Sequence, residues 1–214
     1  MKLQIELMLL FLSCVAIAGC SPLAPKPDYS KFFVLTPIAD APGPTSPIAQ
    51  AGGLALGIGP IDFPDYLKRL EVVKRQSPNQ LDISPVDRWG EPLDKNFERI
   101  LCENLAQLLN TDHIEKYPWP RRTAIDYQIE ISVQTFETTP DGQSRLSARW
   151  IIKDGSTGKD LYASRTTATA AIGTGDAGAA TSLSEDLGSL SREIGSQITQ
   201  LNQRRGPKIS PTPA

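Results

Sequence analysis

The chain has 214 residues, 40% of them hydrophobic and 21% charged, with a formal net charge of −2. That balance supports a packed domain, while interspersed charges of both signs give no basic field for nucleic acid and no acidic field for cations. His113 is the single histidine, which excludes a histidine-based metal cluster and would route any serine–histidine triad through one residue.

The first segment is a targeting signal. Lys2 supplies a positive start and Leu7 to Ala18 an apolar run of roughly a dozen residues, too short to span a bilayer. Ile17-Ala18-Gly19-Cys20 then reads as a lipobox. Residues 1–19 are a cleaved signal, and Cys20 becomes the lipidated residue. Its thiolate takes a diacylglyceryl group and its freed amine a further acyl chain, because several chains anchor a protein stably where one does not. Ala16-Ile17-Ala18 is also an A-x-A site that would release a soluble chain at Gly19. The four-residue lipobox is the more restrictive pattern. Ser21, standing where an Asp would retain a Gram-negative lipoprotein at the inner membrane, implies the periplasmic face of the outer membrane. With Cys14 lost and Cys20 lipidated, only Cys102 remains and no intrachain disulfide can form.

Residues 20–28 carry Pro22, Pro25 and Pro27, so they form an extended tether reaching about 25 Å. Residues 29–203 form the domain. Tyr29 to Thr36 predicts a strand, and Pro37 to Gly53, with Pro42, Pro44, Pro47 and two adjacent glycines, a long loop that is either functional or disordered, disorder being the preferred reading. Leu54 to Ile61, Glu71 to Arg75 and Gln80 to Ile83 predict further strands, the last two joined by a turn at Ser77-Pro78-Asn79. Pro92 suits a helix start, and Leu93, Phe97, Leu101, Leu105 and Leu109 recur every four residues up to Asn110-Thr111. From Ile125 the period becomes two: Ile125, Tyr127, Ile129, Ile131 and Val133 against Asp126, Gln128, Glu130, Ser132 and Gln134. Turns at Thr139–Gly142 and Asp154–Gly158 continue this strand into two more, carrying Leu146 to Ile152 and Leu161 to Ile172. Ser182 and Glu185 form a capping box opening a last helix with Leu183, Leu187, Leu190, Ile194 and Leu201. Residues 204–214 are a disordered tail. The order predicts a single α+β domain, a largely antiparallel sheet with two helices on one face. The polar alternation at Asp126, Gln128 and Glu130 predicts a second face that is wet or meets a polar partner.

No catalytic residue can be named. Gly173 to Gly178 matches G-x-G-x-x-G, but the strands before it are antiparallel and no strand follows the helix, so a flexible loop explains it. Gly155-Ser156-Thr157-Gly158-Lys159 has the wrong spacing for a P-loop, and no G-x-S-x-G elbow occurs. No metal site and no cofactor beyond the acyl chains on Cys20 is expected, and the chain reads as a non-enzyme.

Several elements occur in a telling order: Phe33 to Pro37 (Phe-Val-Leu-Thr-Pro), Pro64-Asp65-Tyr66-Leu67-Lys68-Arg69, Arg88-Trp89-Gly90-Glu91-Pro92-Leu93, Asn104-Leu105 and Tyr117-Pro118-Trp119-Pro120. Over most of the mature chain this order resembles the PqiC/YmbA-like lipoproteins, the auxiliary lipoprotein component of ABC-type lipid transport systems that work with MCE-domain proteins. Lys68 and Leu70 stand where that family commonly has Asp and Pro. The resemblance implies an MCE-domain periplasmic protein and its inner-membrane permease as partners, and a role in docking the conduit to the outer membrane. Tyr66, Arg69, Arg75, Arg88, Trp89 and Glu91 are the candidate partner-binding residues; the two rings and three arginine forks among them are the types that dominate interface hot spots. The alternative is local: Trp89 and Pro92 start the helix while Arg88 pairs with Glu91 or Asp87. A lipoprotein scaffold for another envelope assembly, or an envelope hydrolase using His113, are the competing functions. Exposed strand edges and the avidity of several anchored copies predict a homo-oligomer, plausibly a closed ring.

Overall fold

The structure, a computed structural model, describes residues 28–39, 53–120, 122–174 and 177–205. The signal, Cys20 and the tether up to residue 27, the loop over 40–52, Gly175 and Asp176 of the glycine-rich turn, and the tail from 206 lie outside the described residues. Asp28–Ser30 belong to an N-terminal unit, in which Asp28 accepts a hydrogen bond from the Ser30 amide at 2.9 Å. All elements below belong to the unit that begins at Lys31.

The described strands are β1 (Lys31–Phe33), β2 (Leu56–Asp62), β3 (Glu71–Ser77), β4 (Gln80–Trp89), β5 (Ile114–Lys116), β6 (Tyr127–Thr138), β7 (Gln143–Asp154) and β8 (Asp160–Ala171). The helices are α1 (Leu93–Leu109) and α2 (Gly178–Arg205), and a 3-10 turn covers Asp65–Leu67. The class is the expected α+β, and the sheet is open and mixed. β6 is its axis. One edge of β6 pairs antiparallel with β7 from Tyr127↔Asp154 to Thr138↔Ser144, and β8 extends the meander. The other edge is shared: β2 lies parallel along its first half, followed by β5, while Lys74↔Thr138 attaches the β3–β4 hairpin at its far end, where β1 adds parallel to β4.

Alternation along β6 and β7 explains the core. Tyr127, Ile129, Ile131, Val133, Leu146, Ala148, Trp150 and Ile152 all face the helices and are buried. An irregularity between Val133 and Thr135 shifts the phase so that Phe136 still points inward. There it meets Phe63 and Phe97 edge to face, with centroids 5.1 to 6.3 Å apart. α1 contributes the predicted stripe and stops at Asn110, whose left-handed φ of 48° ends the helix. Asn104, fully buried, accepts from the Ile38 amide at 2.9 Å and donates to Ser191 of α2 at 3.0 Å, which joins both helices to the segment after β1.

Several expectations change. The first strand is only three residues long, because beyond it the backbone is captured by helix side chains: the Thr36 amide bonds Ser184 and the Ile38 amide bonds Asn104. β5 was not anticipated, and four strand pairings are parallel. α2 begins at Gly178, so Ser182 is no cap; inside the helix its hydroxyl donates to the Ala179 carbonyl. The same self-bonding by Ser184, Ser191 and Thr199 lets a serine-rich helix be buried without orphaned hydroxyls. α2 also runs on to Arg205, through the first residues of the expected tail.

Candidate contact surface

The stretch from Pro64 to Glu91, which supplies all six candidate residues, folds as the 3-10 turn, β3 and β4. The structure sorts the six into four settings. Arg69 and Arg88 converge on one carboxylate: Arg69 Nε lies 3.0 Å from Glu71 Oε2, and Arg88 Nη1 3.2 Å from Glu71 Oε1. The Glu71 backbone amide and then Arg69 and Arg88 hold that carboxyl below the ordinary glutamate range. Strand register extends this cluster sideways, since Glu71 pairs with Arg88 and Arg88 with Phe32, placing the three in one row across β3, β4 and β1. Phe32 is 67% exposed, and Val34, Leu70 and Val86 are exposed as well. Solvent-exposed ion pairs contribute about 0–1 kcal/mol. Stability therefore does not explain the cluster, whereas an exposed aromatic beside two arginine forks is the composition of an interface anchor.

Tyr66 and Arg75 meet elsewhere. Arg75 Nε donates to Glu137 Oε1 of β6, Nη1 to the Pro78 carbonyl at 3.0 Å and Nη2 to the Tyr66 hydroxyl at 3.4 Å. Its guanidinium also lies 5.9 Å from the Tyr66 ring centroid. Burial, and then Glu137, push the Tyr66 hydroxyl up. Glu137 is buried, and leaving such a carboxylate without its partner costs about 3–5 kcal/mol. This second cluster is structural: it ties the β3–β4 hairpin to β6.

Trp89 does not reach the surface. It is 2% exposed and packs in the core beside Phe33, Val72 and Ala180. The expectation that it is a contact residue is corrected by alternation: Trp89 ends β4 rather than lying in a loop, and Arg88 takes the outward position. Glu91 accepts two bonds from Arg99, at 3.0 and 2.7 Å, and so fastens the turn before α1 to that helix. Arg88 pairs with neither Glu91 nor Asp87. Its partner lies 17 residues upstream.

Phe32 and Glu71 were missed in the sequence. A signal existed, because adjacent aromatics in a strand point to opposite faces, so one of Phe32 and Phe33 had to leave the core. Among the described residues no group of His, Cys, Asp and Glu is placed to hold a metal. Cys102 is buried, and desolvation pushes its thiol up to about 12, which makes it an unreactive core residue. His113 is exposed, and its backbone carbonyl accepts from Leu56 at 2.8 Å. Among the described residues no helix is long and apolar enough to cross a membrane.

Fold and surface together define an α+β domain with an exposed aromatic beside an arginine–carboxylate cluster. A family model for the ABC-type transport auxiliary lipoprotein component matches residues 33–195, and the chain belongs to that family. A solved structure of a Xanthomonas campestris protein is similar at 15% identity, covering 82% of this chain and 100% of its own, with a TM-score of 0.66. A second solved structure, described only as an uncharacterized protein, is 19% identical, covers 79% of this chain and 98% of its own, and has a TM-score of 0.63. At those identities the likeness concerns the fold. No curated protein matches the chain.

Proposed function

We propose that this protein is an outer-membrane lipoprotein, anchored through acyl chains on Cys20, that serves without catalysis as the auxiliary component of an MCE/ABC-type intermembrane lipid transport system. Its domain docks the periplasmic conduit to the outer membrane, as a homo-oligomer that gains avidity from several anchors. Family membership supports the transport role, and the row of Phe32, Arg88 and Glu71 carries the docking reading. Those residues offer a partner an apolar anchor at the sheet edge with a charged fork beside it.

Crosslinked envelopes provide the test. Wild-type protein captures an MCE-domain protein and its permease, and Phe32→Asp loses both while its circular dichroism stays unchanged, because Phe32 has no place in the core. Recovery of neither partner by the wild type, or undiminished capture by the variant, overturns the reading. Intact mass checks the anchor: a wild-type chain beginning at Gly19 without acyl chains would refute it.

A further inference from the structure

The small net charge conceals a segregated one. On β7 and β8, opposite the helices, the outward positions include Arg145 and Arg149 of β7 and Arg165 of β8, all exposed. Arg149 and Arg165 are direct cross-strand partners, and Arg145 stands four residues from Arg149, about 13 Å along the strand. Among the described residues none of the three makes an ion pair or side-chain hydrogen bond. Three nearby carboxylates are paired with other cations: Glu137, opposite Arg145, with Arg75; Glu130 with Lys153 at 2.8 Å; Asp160 with Lys153 at 3.9 Å. Asp141 accepts from Thr139, which chiefly lowers its carboxyl, and the charge of Arg145 adds to that lowering without an ion pair. The other strand partners of Arg149 and Arg145 on this face, Ser132 and Thr169, are small and uncharged.

Like charges placed directly opposite on a sheet destabilise it. Asp141 offsets part of the charge of Arg145, but the facing pair Arg149 and Arg165 has no such partner among the described residues and is compensated by anions brought from outside, and guanidinium groups bind phosphate oxygens in pairs. We propose that this face docks on a bilayer containing anionic phospholipid, with Arg145, Arg149 and Arg165 on the headgroup phosphates. The inference rests on the membrane-anchored reading. The eight residue steps from Cys20 to Asp28 reach at most about 28 Å, which keeps the domain within range of the headgroups. Cations spread over two strands, with Arg145 about 13 Å from Arg149, also match an extended anionic surface better than they match a single bound ion.

The test uses the chain after the signal with Cys20→Ser, so that no acyl chain contributes. It is sedimented with vesicles of phosphatidylcholine alone or with about 30% phosphatidylglycerol. Binding to the anionic vesicles, abolished by about 0.5 M salt, is expected, with little to the neutral ones. Each arginine near such a surface contributes about 1 kcal/mol, so Arg145→Gln, Arg149→Gln and Arg165→Gln together should weaken partitioning about 100-fold. Lys95→Gln, Lys116→Gln and Arg122→Gln change net charge equally elsewhere on the surface and should leave it within a few fold. Equal binding to both vesicle types, an equal loss in the control triple, or unchanged vesicle binding combined with loss of a protein partner from the arginine variant overturns the proposal. Because the assay needs no acylation, a failed anchor at Cys20 is read separately from a failed arginine face.

Discussion

At the scale of single residues, the polar groups in the core show which charges the fold tolerates. Asp186 of α2 is 1% exposed and one of its oxygens has no partner. Burial raises its carboxyl to about 6, with a hydrogen bond involving Ser144 opposing that shift and the neighbouring Glu185 adding to it. Because the folded value lies above the unfolded one, the folded state holds the proton more tightly. The contribution of Asp186 to stability is then greatest below about pH 4, falls as pH rises from about 4 to 6, and stays lower above that by up to about 3 kcal/mol. Asp186→Asn should therefore raise the urea midpoint at pH 8, change it little at pH 4, and flatten the slope between. A lower midpoint at pH 8 would show that the ionised carboxylate is satisfied in the folded state.

At the scale of elements, β2 is defined by what lies over it. Tyr117 and Trp119 are in edge contact at 5.6 Å, and the Tyr117 amide bonds the Ile58 carbonyl at 2.9 Å, which sets this pair against the strand. A Cβ at Gly57 would stand 2.7 Å from Trp119 and 2.8 Å from the Ile125 side chain, so glycine is needed for this close approach. Gly57→Ala should destabilise by about 1–3 kcal/mol, the range for overpacking, read as a lower denaturant midpoint with an unchanged slope. An unshifted midpoint would mean that Trp119 moves aside freely. The Tyr117-Pro118-Trp119-Pro120 element is thus a packing lid on β2 rather than a contact motif, which its amphipathic rings alone could not reveal.

At the scale of the whole molecule, the question is how the sheet ends. β8 is twelve residues long, contains no proline and pairs on one side only, with β7. Natural edge strands are usually short, bulged, charged or covered. Assembly of several copies would cover such edges, and a closed ring with heterologous contacts avoids open polymerisation. Light scattering on the Cys20→Ser chain lacking the signal should give a multi-subunit mass at about 10 µM, above the ~1 µM dissociation constants of ordinary oligomers. A monomer mass there would remove self-assembly from the proposed function.

The amino-acid order by itself determined what depends on local period and local chemistry. The leucine stripe of α1, the inward set of β6 and β7 and the Asn110 stop all follow from side-chain spacing or backbone preference within a few residues, and all appear in the structure. Glu71 meeting Arg88, Trp89 turning inward, β2 lying parallel on β6 and three arginines collecting on one face were decided only in three dimensions. Each depends on which strand edges pair and in what register. That choice is made by burial summed over the whole core between segments far apart in the chain, so no local window contains it.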